Sequence, residues 1–291
     1  MLKFRLIITI LMIDISIISY ADNLSTGKDF TQYVNPFIGT VGNANTFPGP
    51  TLPFAMVQLG PYIQSNTILG FSHRHNSGGA GGGSSVRGDI LFMPTVGNLK
   101  NIDKHGYGSK FSNSSEEATP GYYKVFLDDC NTLVELSATT RVGLHKYTFP
   151  NTDEANIVLS IDDGEICINN GEISGYNSNK IYFVAKFSQP ISKHSLIKIN
   201  ESDKNDNVVV GNNIKGIFKF DANANEPILL KVAISSVSVD GARKNLNAEL
   251  PGWDFNLIKE KAKEAWNKEL SKIEVEGGTK KERTIFYTAL Y

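Results

Sequence analysis

Apolar and polar residues alternate in short runs over the central part of the chain, from Gly121 to about Val239. The runs are rich in Val, Ile, Tyr and Phe, and polar segments such as PNTDE, NNGE, NESDKND and DANANEP separate them. Alternation with a period of two residues, interrupted by turns at this spacing, predicts antiparallel strands. The number of runs predicts a mainly β fold, a large antiparallel β-sandwich.

The pattern changes near residue 251, where apolar residues recur at helical spacing. Asp254 stands where a helix N-cap is expected, directly before the first apolar position. Gly277 and Gly278 interrupt the helical pattern, and KKERTIFYTALY then begins a second one. The apolar positions of the first pattern are Phe255, Ile258, Ala262, Ala265, Trp266 and Leu270.

Residues 1–21 show a pattern that differs from both the strand pattern and the helical pattern. Lys3 and Arg5 precede an apolar run that is followed by Ala21. A basic start, a short apolar centre and a small residue near its end are typical of a secretory signal peptide, so residues 1–21 are predicted to be removed on export to the periplasm or the medium. The run is short and contains Asp14, so we expect no membrane span after cleavage.

Composition narrows the possible partners. The chain has 29 basic and 30 acidic residues, and this balance disfavours a nucleic-acid or anionic-membrane partner, which would require a concentrated basic surface. Its two cysteines, Cys130 and Cys167, could pair in an exported protein, although buried free thiols explain them equally well.

The richest concentration of candidate chemistry is GFSHRHNSGGAGGGSSVRGD, from Gly70 to Asp89. The glycines do not form a phosphate loop, because no lysine follows them and the next residues are strand-like. His73 and His75 are two apart and could reach one metal ion from the same face of a strand, with Asp89 as a candidate third ligand. A mobile surface loop remains the plainest alternative.

A ligand-binding edge fits this stretch better than a metal or phosphate site. Planar hydrogen-bonding and aromatic side chains, next to glycines that let a ligand approach the backbone, are typical of sugar-binding surfaces. The candidate substrate-binding residues are Phe71, His73, Arg74, His75 and Arg87.

Carboxyl pairs suited to acid–base catalysis are less convincing. Asp128–Asp129 and Asp162–Asp163 are predicted beside turns, where acidic residues usually face water. No serine lies in a G-x-S-x-G motif. The residues therefore indicate no complete active site, and no catalytic or metal-binding residue is assigned.

Several blocks of the chain resemble, in order, the N-terminal portion of the glycoside hydrolase family 92 exo-α-mannosidases. They are YVNPFIGT (33–40), TFPGPTLPFAMVQLGP (46–61), GFSHRHNSG (70–78), RGDILFMPTVG (87–97), PGYYKVFLDD (120–129), ELSATTRVGLHKYTFP (135–150), IYFVAKFSQP (181–190), GARKNLNAELPGWDF (241–255) and ERTIFYTALY (282–291). The blocks span nearly the whole chain after the predicted signal peptide.

The resemblance implies a sandwich similar to the galactose mutarotase fold, joined by helices to an (α/α)₆ barrel that carries the catalytic acid and base. It implies that the complete enzyme hydrolyses terminal α-mannosyl residues, such as those of N-glycans, with inversion. The barrel of such an enzyme supplies most ligands of a calcium ion, and no metal is expected for this chain alone. Whether this chain is itself an enzyme stays open.

The resemblance also sets the expected domains: the sandwich over residues 22–250, then a helical linker and the start of the barrel over 251–291. The chain is expected to lack the rest of the barrel, which is its predicted partner in the same polypeptide or as a separate chain. We expect the isolated chain to be inactive, with the apolar faces of its last two helices uncovered and self-association as the result. Alternatives are a free-standing carbohydrate-binding module, half of a split mannosidase, or a break in the gene sequence.

Two further expectations concern the site. Residues 70–89 would line the edge between the two domains, with His73, Arg74 and His75 as polar groups and Asp89 holding the loop. Family members usually carry a longer segment, often with a substrate-facing tryptophan, where this chain has only PYIQSNTIL, and that difference would weaken sugar contact.

Overall fold

The computed structural model describes residues 27–40, 46–74, 90–99, 102, 106–199 and 207–291. The predicted signal peptide lies outside the described residues. Within the described part, fourteen strands form one curled antiparallel sheet, and the predicted mainly β, antiparallel fold class is confirmed. The strands are β1 (Gly60–Gln64), β2 (Thr67–Ser72), β3 (Leu91–Val96), β4 (Ser109–Lys110), β5 (Glu117–Thr119), β6 (Tyr122–Leu127), β7 (Thr132–Ala138), β8 (Val142–Thr148), β9 (Thr152–Asn169), β10 (Glu172–Asn177), β11 (Tyr182–Phe187), β12 (Lys193–Lys198), β13 (Val208–Ala222) and β14 (Ile228–Ser235).

The strand order is β1-β2-β3-β9-β10-β11-β14-β8-β7-β6-β5, with β13 on the other edge of β9, β12 next to β13, and β4 beside β2. The 18-residue strand β9 belongs to both layers, because it pairs with β3 through residues 155–160 and with β10 through residues 164–169. The sheet therefore turns from one layer into the other along a single strand.

Glycines mark the place where β9 bends. Gly164 on β9 and Gly211 on β13 are register partners, with φ of 154° and 130°. A Cβ on Gly164 would lie 1.9 Å from the carbonyl oxygen of Tyr176, so only glycine fits there. Asp162 and Asp163, predicted beside a turn, instead lie inside β9 with exposed side chains.

The main core fills the space between the two layers with fully buried aromatic and aliphatic side chains, among them Tyr123, Tyr147, Phe183 and Phe218. A second cluster lies on the outer face of β8, β11 and β14 and joins that face to the helices. Strand β14 is buried along nearly its whole length, which explains its nearly continuous apolar sequence.

Three helices follow the sheet: α1 (Val239–Glu249), α2 (Phe255–Leu270) and α3 (Lys280–Leu290). The N-cap predicted for α2 is confirmed, since the Asp254 side chain accepts a hydrogen bond of 2.9 Å from Leu257 N. Helix α1 was not predicted. It begins after the N-cap residue Ser238, at the end of a stretch that the sequence pattern predicts to be a strand. The helix lies within residues 22–250, the predicted sandwich domain.

The linker between α1 and α2 is held to the sheet by a buried lysine. Lys231 on β14 is 4% exposed, and its Nζ donates to the carbonyl oxygens of Leu250 at 2.8 Å and Pro251 at 3.3 Å. The same ammonium lies 3.8 Å from the centre of the Trp253 ring. These contacts satisfy carbonyls at the end of α1 and fix where α2 begins.

The segment from Lys28 to Val34 crosses both of the last helices. Phe30 N donates to Asn267 Oδ1 of α2 at 2.7 Å, and the Phe30 ring lies 5.3 Å from that of Tyr287 of α3. Val34 and Leu270 are buried in the same small cluster. The start of the described chain therefore joins α2 to α3.

The expectation that both helices leave their apolar faces uncovered is wrong for α2. Its apolar positions pack against the sheet, α1 and the segment 28–34 of the same chain, and Phe255, Ile258, Ala262, Trp266 and Leu270 are all buried. Both cysteines are free, Cys130 buried and Cys167 partly buried, so the possible disulfide is not formed. Across the described residues, no helix is both long and apolar enough to span a membrane.

Candidate functional site

The end of β2 carries the candidate residues that the sequence indicated. Phe71 and His73 have no exposed surface, and Arg74 is partly exposed. The predicted residues His75 and Arg87, and the candidate loop-holding or metal-binding residue Asp89, lie outside the described residues. Arg74 is therefore the described member of the predicted set that presents surface to solvent.

His73 belongs to a chain of buried hydrogen bonds that crosses from β2 to β8. Its Nδ1 lies 3.0 Å from the carbonyl oxygen of Ile90, and its Nε2 lies 2.9 Å from Nε2 of His145. His145 Nδ1 in turn lies 2.8 Å from the hydroxyl of Tyr147. All three side chains are fully buried.

The geometry fixes where the hydrogens lie. A carbonyl oxygen can only accept, so His73 carries its proton on Nδ1, and in the neutral ring Nε2 is then an acceptor. His145 must donate from Nε2, which leaves its Nδ1 to accept from the Tyr147 hydroxyl. Two neutral imidazoles of opposite tautomer thus satisfy every link without a buried charge.

The surroundings favour the neutral state. Burial, and then the neighbouring His73, hold the pKa of His145 well below its usual value of 6.5. Gly143 leaves room for the pair, because a Cβ there would lie 2.9 Å from Cδ2 of His73. The buried His pair joins β2 to β8 through the core.

The pair also fixes an unusual backbone position. Ile90 has φ of 53°, a left-handed conformation that a β-branched residue rarely adopts. The hydrogen bond from His73 Nδ1 to the Ile90 carbonyl oxygen holds that conformation at the start of β3. The strain is local to the residue that follows the predicted binding stretch.

Burial favours a structural role for Phe71 and His73. A sugar could reach either side chain only if the sheet opened, and both ring nitrogens of His73 already have partners. The two facing Nε2 atoms are 2.9 Å apart and joined by a hydrogen bond, whereas two nitrogen ligands of a tetrahedral zinc ion would lie about 3.3 Å apart. Direct sugar contact by these two residues stays a prediction.

His145 was not among the site residues predicted from the sequence, and its contact with His73 is a finding of the structure. A signal was present, because His145, Tyr147 and Phe149 alternate along β8 and so share the face that points into the core. The predicted position of His73 at the end of a strand did not reveal which strand would lie across from it.

Acidic side chains in the described part of the chain do not assemble into a metal centre. No group of three or more His, Cys, Asp or Glu residues there could hold a metal ion. Glu116 has its pKa raised by burial, and it accepts a 2.6 Å hydrogen bond from the Tyr123 hydroxyl. This contact ties the residue before the edge strand β5 to Tyr123 of β6 and gives Glu116 a packing role.

An aromatic residue that sequence reasoning did not select stands out at the surface. Phe54 is 95% exposed and has φ of 58°. Its turn is bonded to Trp266 of α2, whose Nε1 donates to the Thr51 carbonyl oxygen at 2.7 Å. The sheet end with Arg74 and this turn are two of the described surfaces that could meet a ligand.

Residues 33–235 match the model of the glycosyl hydrolase family 92 N-terminal domain, which is more than half of the chain. The chain belongs to glycosyl hydrolase family 92. Residues 241–291 match the family 92 catalytic-domain model, so α1, α2 and α3 fall almost wholly within that match. The resemblance inferred from the sequence blocks is confirmed.

Solved family 92 structures share the fold. The family GH92 α-mannosidase BT3965 from Bacteroides thetaiotaomicron aligns with a TM-score of 0.82 at 31% identity, covering 91% of this chain and 41% of that protein. The family GH92 inverting mannosidase BT2199 from Bacteroides thetaiotaomicron VPI-5482 aligns with a TM-score of 0.79 at 28% identity, covering 90% and 39%.

Among related sequences, a protein of Arthroderma benhamiae (strain ATCC MYA-4681 / CBS 112371) that is described as an uncharacterized secreted glycosidase is 26% identical over 318 residues. The alignment covers 90% of this chain and 41% of that protein. The family 92 chain described here thus spans about 41% of the length of the relatives it matches.

Proposed function

We propose that this chain forms the sugar-contacting N-terminal part of a family 92 α-mannosidase. The observation that carries the proposal is the continuous match, from the N-terminal domain model over residues 33–235 into the catalytic-domain model over 241–291. Its fold superposes on α-mannosidase BT3965, a protein also solved in complex with mannoimidazole. The ligand class is therefore an α-mannoside.

The complete enzyme would remove terminal α-mannosyl residues from N-glycans with inversion. BT2199, described as an inverting mannosidase, supports the stereochemistry. Calcium would be held by the remainder of the catalytic domain. The described residues do not fit that ion, since they offer no cluster of three or more His, Cys, Asp or Glu ligands.

We expect no turnover by this chain as an isolated polypeptide. Inversion requires an acid and a base on opposite faces of the sugar, about 6.5–9.5 Å apart. Glu116 is engaged by Tyr123, while Asp162 and Asp163 are exposed within β9. These three carboxyls therefore do not form an enclosed acid–base pair.

The purified chain should be tested for hydrolysis and for binding in one experiment. Incubation with α-1,2-mannobioside and with a high-mannose N-glycan, followed by chromatography of released mannose, is expected to show none. Titration with the same mannobioside, followed by protein NMR, is expected to show weak saturable binding, with an α-glucobioside as control. Release of mannose would overturn the inactivity, and an absence of binding would overturn the sugar-contacting role.

A free-standing carbohydrate-binding module is the second candidate. It is favoured by the burial of the α2 apolar face within this chain, because this helix then needs no other domain to cover it. A module that works alone needs useful affinity. A dissociation constant below about 100 µM for an α-mannoside, corresponding to roughly −5.5 kcal/mol, would support this candidate over the first.

Export is the proposed location. The basic and apolar start of the chain and the match to a secreted glycosidase support it. Expression with the native N-terminus, followed by mass spectrometry of the mature protein, should find a first residue close to Asp22. A retained Met1 in the cell extract would contradict export.

A further inference from the structure

The turn Leu52–Ala55 presents an aromatic ring to solvent on a strained backbone. Ala55 N donates to the Leu52 carbonyl oxygen at 3.1 Å, which makes Phe54 the third residue of the turn. That position, when its φ is positive, usually holds glycine or asparagine, and a bulky side chain with φ of 58° is disfavoured there. The Phe54 side chain is nevertheless 95% exposed.

The turn is anchored to the body of the protein at both ends. On one side, Trp266 Nε1 of α2 donates to the Thr51 carbonyl oxygen at 2.7 Å. On the other, Met56 N and Val57 N both donate to the carbonyl oxygen of Thr140, at 2.9 and 3.2 Å. The ring is therefore displayed from a fixed position.

The second anchor is itself held in place. Thr140 lies in the turn between β7 and β8, and Glu249 at the end of α1 accepts from both neighbours of that residue. The Thr139 hydroxyl donates at 2.5 Å and Arg141 N at 2.8 Å. Sheet, α1 and α2 thus converge on the base of the Phe54 turn.

Against the described residues the Phe54 ring gains almost no burial. An exposed phenylalanine gains no burial, and its left-handed backbone carries strain that a glycine would avoid. Strained residues that the surroundings hold in place occur preferentially at ligand-contact positions. The benefit of Phe54 must come from a contact outside the described residues of this chain.

The position of the turn indicates which contact. Gln58 N donates to the His73 carbonyl oxygen at 3.0 Å, so the turn leads directly to the end of β2, where Arg74 is partly exposed. The other anchor, Trp266, belongs to the region that matches the catalytic-domain model. Phe54 lies where the two family regions of the chain meet.

We propose that Phe54 is an aromatic platform for the apolar C–H face of a mannoside ring, next to the Arg74 end of β2. This inference deepens the proposed function and rests on it. Aromatic rings with free faces line most small-ligand sites, and a fixed ring binds without losing conformational freedom. The proposed site therefore combines Phe54 with Arg74, and Phe54 was not among the residues that the sequence indicated.

Two substitutions separate the effect of the Phe54 ring on binding from the effect of its strained backbone on stability. Phe54→Gly removes the ring and relieves the positive φ, so we expect the melting temperature to rise by about 2 °C while affinity for α-1,2-mannobioside falls roughly tenfold. Phe54→Trp keeps an aromatic face, and we expect it to retain binding and to report it as a change in tryptophan fluorescence on titration.

Lys180→Gly is the matched control. Lys180 is also a non-glycine residue with positive φ, 56°, and it lies exposed in the turn between β10 and β11. Its replacement should raise the melting temperature similarly and leave mannobioside affinity unchanged. A gain in stability alone therefore cannot account for the loss of binding expected for Phe54→Gly.

The outcomes are distinguishable. Binding by the unmodified chain that is lost in Phe54→Gly and kept in Phe54→Trp supports the platform. Equal binding by the unmodified chain and Phe54→Gly overturns the platform and leaves the proposed function standing. No binding by the unmodified chain overturns the proposed function and with it the sugar contact, and the ring is then covered by another part of a larger protein.

Discussion

Helices α2 and α3 lie in the same family region but differ in how they are held. Both fall within the match to the catalytic-domain model, over 241–291. Helix α2 buries five apolar side chains against the rest of the chain, whereas α3, all of whose residues are described, buries Tyr287 alone. Ile285 and Leu290 of α3 are 55% and 39% exposed. The family boundary and the packing boundary therefore do not coincide.

A close backbone contact shows how firmly α2 belongs to the sheet. Gly121, with φ of 81°, precedes β6, and a Cβ there would lie 2.5 Å from the Cβ of Ala262. Two small residues let the helix approach the sheet edge closely, and dispersion contacts increase with that approach. The physical unit of this chain runs at least to Leu270.

The largest expected effect comes from removing the central side chain of α2. Trp266 is 7% exposed, and its ring centre lies 4.3 Å from that of Tyr291. We expect Trp266→Ala to lower the free energy of unfolding by about 3–5 kcal/mol, measured by urea denaturation. Trp266→Phe, which keeps much of the packing, should lower it by less. A loss below about 1 kcal/mol for Trp266→Ala would mean that α2 is not part of the folded unit.

The same truncation in both helices tests the comparison directly. Ile258 of α2 is 9% exposed and Ile285 of α3 is 55% exposed. Ile258→Ala should lower the free energy of unfolding by about 2–4 kcal/mol, and Ile285→Ala by less than about 0.5 kcal/mol. Thermal and urea unfolding of the two variants should be measured together, and equal losses would contradict the distinction.

A pH series tests the buried lysine that fixes the start of α2. Burial, and next the charge of Lys186, lower the pKa of Lys231 to about 8 from 10.5. Since the unfolded chain binds this proton more tightly, the charged lysine reduces stability below pH 8, and the penalty disappears as the pH rises from the folded toward the unfolded value.

We expect the free energy of unfolding of the unmodified chain, relative to Lys231→Met, to rise by on the order of 1 kcal/mol between about pH 7 and about pH 10. Subtracting the free energy of unfolding of Lys231→Met from that of the unmodified chain removes the pH dependence of the other titrating groups. Parallel pH curves for the two proteins would show that Lys231 titrates alike when folded and unfolded.

The smallest effect concerns the caps of the two helices. The N-terminus of α2 is capped by the side chain of one residue, Asp254. The N-terminus of α3 is capped by two residues, because Thr279 and Glu282 form a reciprocal capping box in which Thr279 N donates to Glu282 Oε2 at 2.7 Å. Asp254→Ala should lower global stability by about 1 kcal/mol. Thr279→Ala should increase hydrogen exchange within α3 by several-fold and leave the melting temperature nearly unchanged. A shared drop in melting temperature would join α3 to the cooperative unit.

Much of the fold follows from the sequence. The strand pattern after Gly121 and the helical periodicity after Asp254 predicted the all-β class, α2 and α3, because both depend on local periodicity. The bend of β9 was not predicted, since it depends on a long-range pairing of Gly164 with Gly211. A single strand was therefore interpreted as two strands separated by a turn.

The candidate site was harder to predict from the sequence than the fold. The glycine-rich stretch drew attention to His73, but burial of that residue results from contact with His145, 72 positions away. Phe54 was not predicted to be a site residue, because an isolated phenylalanine in an apolar block usually lies in the core. Exposure of a hydrophobic residue is a property of the whole fold and has no local signal.

Strand β9, which pairs with strands of both layers, determines how the protein unfolds. Because β9 contributes residues 155–160 to one layer and residues 164–169 to the other, neither layer can unravel while its neighbour stays intact. The two halves of the sheet are thus expected to melt in one cooperative transition, despite a size at which many chains would show two.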